Sequence, residues 1–348
     1  MRNMLLILAA IALLGLSIAT ILVWQQWYSL ENQPLALDQT ETITVDRGSS
    51  LMPVMRQLEA EGIIEDARVV RIWARLADRG RNIKAGEYEL QPGMTLPELV
   101  TRLEQGEVIL HRFTIVEGWT FRQLRAALAR QEKLTHTIQD MDDSAVMAAL
   151  GSEALHPEGW FLPETYRFPR GTTDLQILRT AHEAMVDTLE RLWADRDGGL
   201  PYDSPYEALI MASIVERETG KAGERNKVAG VFTRRMREGM RLQTDPTVIY
   251  GVTHVTEDPD FDGRLRHRHL RQDTPYNTYT RHGLTPTPIA MPGLASLQAA
   301  VQPEESEYLY FVSRNDGSHH FSRTLSEHNR AVRRYQLGED IDLEVGRD

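Results

Sequence analysis

Residues 204–220 read Ser204-Pro205-Tyr206-Glu207-Ala208-Leu209-Ile210-Met211-Ala212-Ser213-Ile214-Val215-Glu216-Arg217-Glu218-Thr219-Gly220. Ser204 fits an N-cap, Pro205 the first helical position, and Glu207 the partner position of a capping box. The stretch predicts a helix that ends near Gly220. Its middle is apolar on every side, so it belongs inside a packed domain. The last turn nevertheless carries Glu216 and Glu218. At 100° per residue the two point about 200° apart, so they are not a close pair. Glu218 shares a stripe with Met211 and Ile214, and Glu216 shares one with Leu209, Ala212 and Ser213. The negative end of the helix and apolar neighbours both disfavour ionisation. A carboxyl kept protonated in this way is what a general acid needs at neutral pH. Ion pairing with Arg217, Lys221, Arg225 or Lys227 is the other reading of the same acids.

Outward from this helix, the pattern predicts a long amphipathic helix over 174–194 and another from about Glu224 to Arg237. Between and after them lie stretches rich in Asn, Gln, Asp, Thr and Tyr held by Pro and Gly: Leu242-Gln243-Thr244-Asp245-Pro246-Thr247, Tyr276-Asn277-Thr278-Tyr279, and 283–289. Such loops suit a polar, ring-shaped ligand, which amides and hydroxyls bond and tyrosines stack on. Upstream, Glu158-Gly159-Trp160-Phe161-Leu162-Pro163 is aromatic and non-periodic, a structured loop. Residues 131–157 read as a connector with a short helix over 144–150.

The first half contains an internal repeat. Ile43, Val45, Gly48, Ser50, Leu51, Val54 and Leu58 match Tyr88, Leu90, Gly93, Thr95, Leu96, Leu99 and Leu103 in spacing. Phe113, Ile115, Gly118, Thr120, Phe121, Leu124 and Leu128 form a third copy. Each reads as strand, turn and helix, because period-two alternation gives way to an N-cap and helical spacing. Thr95 with Glu98, and Thr120 with Gln123, have the spacing of capping boxes. A further helix opens at Asp66 and ends near Gly80. The unit from Ile43 to Leu90 is therefore strand–helix–helix–strand and resembles a LysM module, a resemblance that implies binding of N-acetylglucosamine-containing glycans. Ile43 stands where that family usually has Tyr, and Ser49 where it usually has Asp, and a repeated structural unit with no sugar site is the other reading of the same spacing.

The run from Met4 to Trp24 carries no charge. As a helix it is roughly 32 Å long, against a hydrocarbon core of about 30 Å. Trp24, Trp27 and Tyr28 follow as an interfacial belt. Arg2 precedes the run, whereas Glu31, Asp38, Glu41 and Asp46 follow it with no Lys or Arg among them. A cleaved signal peptide is the other reading, but the length of the run and the bulky Ile21, Leu22, Val23 and Trp24 at its end favour an uncleaved anchor, N-terminus cytoplasmic and the bulk outside. The net charge of −11 without a basic run argues against nucleic acid as a partner. The absence of cysteine excludes thiolate catalysis and Cys-ligated zinc. His267, His269, His319 and His320 lack a metal-ligand pattern and read as surface or loop groups, so no metal or cofactor is expected.

Three motifs taken in order resemble the endolytic murein transglycosylase, or YceG-like, family. They are Ile214-Val215-Glu216-Arg217-Glu218-Thr219, the run from Leu242 to Gly251, and Tyr276 to Tyr279. Glu158-Gly159-Trp160 and Leu309-Tyr310-Phe311-Val312 fit it too. The resemblance implies a lyase that cuts peptidoglycan glycan strands internally and without hydrolysis, ending strand growth near the membrane. It puts the catalytic glutamate at Glu218. Gln243, Asp245, Asn277 and Tyr279 then become candidates for binding glycan or supporting Glu218, and Glu216 a supporting group. Implied partners are the glycan strands, the membrane and, as candidates, peptidoglycan synthases; the implied location is the cell inner membrane, with the bulk periplasmic. The expected architecture is an α+β protein: a transmembrane anchor (1–28), a tether (29–41), a LysM-like module (42–130), the connector (131–157), a larger α+β catalytic domain (158–337) and an acidic tail (338–348). Two alternatives stay open, a non-catalytic peptidoglycan-binding scaffold and a hydrolytic muramidase with Asp245 as its second carboxylate.

Overall fold

The structure is a computed structural model that describes residues 2–154 and 156–339. Nearly all of the expected acidic tail lies outside the described residues. The architecture is mixed helix and strand, in two compact units. One comprises the chain up to His111 with Arg167–Gly171; the other comprises Arg112–Tyr166 and the chain from Thr172 onward.

The first unit opens with α1 (Arg2–Asn32), the one described helix long and apolar enough to cross a membrane. There follow β1 (Glu41–Val45), α2 (Leu51–Ala60), α3 (Ala67–Leu76), β2 (Gly86–Leu90) and α4 (Leu96–Gln105). β1 and β2 pair antiparallel, with Ile43 opposite Tyr88. Alternation puts Ile43, Val45, Tyr88 and Leu90 on one face, where they meet Val54, Leu58, Val70, Trp73, Leu99 and Leu103. The turn glycines Gly48 and Gly93 have φ of 77° and 88°, a region costly for any residue with a Cβ. Asp66 caps α3 through Arg68 N, and Thr95 and Glu98 complete a capping box on α4. The segment read as a tether is packed: α1 continues to Asn32, and Leu35 and Leu37 are buried in this core. Burial of those two apolar side chains outweighs the polar character of their neighbours.

The chain leaves this unit within β3 (Leu110–Thr114), and the third strand–turn–helix copy continues in the second unit as α5 (Phe121–Leu128). Next come α6 (Asp143–Leu150), β4 (Thr165–Pro169), α7 (Asp174–Ala194), α8 (Pro205–Glu218), α9 (Arg225–Arg237), α10 (Asp245–Tyr250), α11 (His267–Arg271) and α12 (Leu294–Val301). An antiparallel hairpin of β5 (Tyr310–Ser313) and β6 (His319–Ser322), covered by α13 (Leu325–Gln336), completes it. α8 is central, packed by α7, α9, α10 and α12, and every residue from Ala208 to Val215 is buried. Its Ser204–Glu207 capping box is formed. The helix stops at Glu218, two residues before the expected Gly220, because Thr219 adopts an extended conformation.

Candidate active site

The two carboxylates at the end of α8 reach different neighbours, as their angular separation requires. Glu216 Oε2 accepts from Gly293 N at 3.0 Å and Ser296 Oγ at 2.7 Å, at the start of α12. Its other oxygen is 3.7 Å from Arg225 Nη2, and only 6% of the side chain is exposed. Glu216 therefore ties α8 to α12 and has no free face.

Glu218 is half-buried and turns to the loop before α10. Thr244 stands at the N-cap of α10, yet its hydroxyl donates to Glu218 Oε2 at 2.5 Å instead of capping its own helix. Burial pushes the Glu218 carboxyl up. The charge of Asp245 acts in the same direction, while the Thr244 hydroxyl, His319 and Arg235 act against it; burial wins. The result is a partly buried carboxyl biased toward its protonated form, with the Thr244 hydroxyl on one of its oxygens.

The Tyr276–Thr280 loop holds Thr244 in place. Gln243 N donates to Thr278 O at 3.2 Å and Thr244 N to Thr278 Oγ1 at 3.1 Å. Thr247 Oγ1 lies 2.9 Å from the same hydroxyl. Gln243 has φ of 52°, a conformation costing a non-glycine residue on the order of 1 kcal/mol, and its side chain is exposed. Asp245 is exposed and accepts from the Tyr279 hydroxyl at 2.6 Å. Asn277 is fully buried, and its amide is spent on the carbonyls of His269, Leu270 and Gln272 and on Tyr279 N. Asp245 and Tyr279 thus place polar groups close enough for their charges to act with Glu218, Gln243 presents an exposed amide next to Thr244, and Asn277 organises the loop behind them.

Arg235, on α9, is a part of this site that sequence reading did not find. It is 8% exposed and donates to the carbonyls of Leu309, Arg241 and Leu242. Its guanidinium lies over Tyr310 at 5.0 Å and places a positive charge near Glu218. Nothing in the local pattern of α9 separates it from Arg234 and Arg237. Two of the four histidines differ from their expected places, whereas His267 is exposed as expected. His269 is 1% exposed, with Nδ1 accepting from Arg266 N. His319 is on β6, where Nδ1 lies 2.8 Å from Glu224 Oε2. No group of three metal-ligating side chains occurs among the described residues.

A second buried acid lies elsewhere in this unit. Glu158 is 1% exposed; its carboxylate accepts from Phe121 N at 2.9 Å and from the Tyr250 hydroxyl at 3.0 Å. Burial pushes its carboxyl up to about 8. An acid whose folded pKa is raised binds its proton more tightly in the folded state, so stability falls as pH rises from about 4.5 to about 8. Glu158→Gln is expected to remove that slope, gaining on the order of 1–3 kcal/mol relative to wild type between pH 5 and pH 8. Urea denaturation at the two pH values measures it, and parallel slopes for both proteins would refute the assignment.

Comparison with known proteins follows the same outline. The model of the YceG-like family matches residues 43–334. A Bacillus subtilis (strain 168) protein named endolytic murein transglycosylase is 30% identical over 323 residues, covering 87% of this chain and 87% of its own length. A protein of that name from Streptococcus pneumoniae serotype 2 (strain D39) is 26% identical over 327 residues; the match covers 84% of this chain and 57% of that protein. The crystal structure of a yceG-like protein from Listeria monocytogenes is 31% identical, with a TM-score of 0.52 over 84% of this chain and 99% of that one.

Proposed function

The chain belongs to the YceG-like family, and from that premise we propose that it is a membrane-anchored endolytic lytic transglycosylase of peptidoglycan. The observation that carries the reading is Glu218, the acid at the end of α8 whose pKa burial raises and whose carboxyl is held through one oxygen by Thr244, whereas Glu216 is tied to Gly293, Ser296 and Arg225. In this reading Glu218 first gives its proton to the glycosidic oxygen between N-acetylmuramic acid and N-acetylglucosamine. As the bond to C1 breaks, positive charge develops on the muramic ring, and the new carboxylate stabilises it. The carboxylate then takes the proton of the muramic C6 hydroxyl, whose oxygen closes onto C1 as a 1,6-anhydro ring. The proton count balances, no water enters, and Glu218 returns to its starting state. Thr244 orients the carboxyl throughout. Gln243, Asp245 and Tyr279 line the approach as glycan contacts, and the β1–α2–α3–β2 arrangement makes the first unit a LysM-like candidate for holding the strand.

A hydrolytic muramidase needs a second carboxylate about 5–9.5 Å from the first. Glu216 is spent on α12, but Asp245 is exposed and its charge reaches Glu218, which keeps hydrolysis as the competing reading. Digestion of peptidoglycan in ¹⁸O-labelled water separates the two. The expected products carry no label at C1 and have no reducing end. Labelled reducing ends would establish hydrolysis and make Asp245 the missing partner. Sedimentation with peptidoglycan and no released product would leave only a scaffold.

A further inference from the structure

α3 meets two different surroundings. Ala67, Val70, Trp73 and Ala74 are buried in the first unit. The opposite stripe, spaced three and four residues apart, holds Arg68, Arg71, Ile72, Arg75 and Leu76, all exposed. Ile72 is 58% exposed and Leu76 70%. Arginines alone would be an ordinary solvated face. Two large aliphatic side chains set among three arginines, on a chain of net charge −11, are the composition of a helix that lies at a lipid surface. Arg68 is offset by Asp66 at 3.2 Å, while Arg71 and Arg75 have no ion-pair partner among the described residues.

The position of α3 supplies the second observation. Trp73 Nε1 donates to Glu31 Oε1, near the end of α1, at 3.4 Å, and Trp27 and Leu30 of α1 pack on the same core. Glu31 follows Tyr28 by three residues and Trp24 by seven, about 5–10 Å of helix rise. With Trp24, Trp27 and Tyr28 at the membrane surface, α3 is held beside that surface through a part-buried hydrogen bond and the packing of Trp27 and Leu30. We infer that the outer stripe of α3 docks on anionic phospholipids of the bilayer that α1 spans. Arg71 and Arg75, assisted by Arg68, pair with headgroup phosphates, and Ile72 and Leu76 enter the boundary below them. The inference rests on α1 being retained as an anchor, and it makes the first unit a part held against the membrane instead of one swinging from a single helix.

The chain has no cysteine, so Leu76→Cys provides a single thiol for an environment-sensitive fluorophore. The labelled full chain is reconstituted in vesicles of phosphatidylcholine with phosphatidylglycerol, or of phosphatidylcholine alone, each containing a lipid with a nitroxide on its headgroup. Quenching is expected to be about twofold or more stronger with phosphatidylglycerol, and to lose that excess in the Arg71→Ser, Arg75→Ser double variant. Equal quenching in both lipids, or in the double variant, would overturn the charge recognition. Carbonate extraction of the same vesicles separates the two readings. Release of the chain removes the anchor and the inference with it. A retained chain with an unquenched label leaves the anchor standing and sinks the docking face.

Discussion

Glu218→Gln is expected to abolish cleavage and leave the fold intact. Glutamine has nearly the same shape, and its amide oxygen can still accept from the Thr244 hydroxyl, which lies 2.5 Å from the carboxylate. What it cannot do is release a proton to a leaving oxygen and take one back. Loss of a general acid costs about 10²–10⁴ in rate. In the proposed mechanism one group performs both transfers, so the upper end is expected. Stability should hold or rise slightly at neutral pH, because a neutral amide escapes the burial penalty that raises the Glu218 pKa. Glu216→Gln is the control with the opposite signature. It keeps an acceptor for Gly293 N and Ser296 Oγ but loses the charge beside Arg225, so its cost appears in stability, about 1–3 kcal/mol, more than in turnover. Release of soluble muropeptides, measured with thermal unfolding of each variant, makes the comparison. An active Glu218→Gln beside a folded but inactive Glu216→Gln would reverse the assignment.

Asn277→Ala is expected to lower both stability and turnover, without touching substrate. The Asn277 side chain makes four hydrogen bonds to backbone, with His269 O, Leu270 O, Gln272 O and Tyr279 N, and no part of the residue is exposed. Truncation leaves those buried groups unpaired, at a cost of about 3 kcal/mol or more. In a unit of this size that corresponds to a fall in Tm of about 6–12 °C. Because Thr278 in the same loop holds Gln243 N and Thr244 N, loosening the loop also frees the hydroxyl that orients Glu218. Turnover should fall by about tenfold or more through lost preorganisation. Amide exchange at Gln243 and Thr244 should speed up in the variant. An unchanged Tm with a raised KM alone would instead make Asn277 a substrate contact.

Local signals made much of this molecule legible. The 21-residue α7 has the bounds that periodicity gives, because a helix with one continuous apolar face between a Thr173 cap and a polar break has no competing state. The three strand–turn–helix copies form where alternation, glycine, cap and helical spacing agree with one another. The β5–β6 hairpin and α12 carry no decisive local signal, since short segments without strong caps fit strand, helix or loop equally well.

The end of α8 divides the two kinds of knowledge most clearly. Sequence alone determined that a buried helix ends in two acids facing different ways, because helical pitch fixes that angle whatever surrounds it. It could not say which acid is tied into the neighbouring helix, since that depends largely on distant chain. Gly293 and Ser296 close around Glu216, while Thr244 donates to one oxygen of Glu218 and the charge of Asp245 acts on it. Arg235 gains its place near Glu218 the same way, through carbonyls of residues 241, 242 and 309 that meet it only in the folded chain. Pitch, caps and alternation are local and survive translation into sequence. Burial, and the pKa that follows from it, is a property of which distant segments arrive.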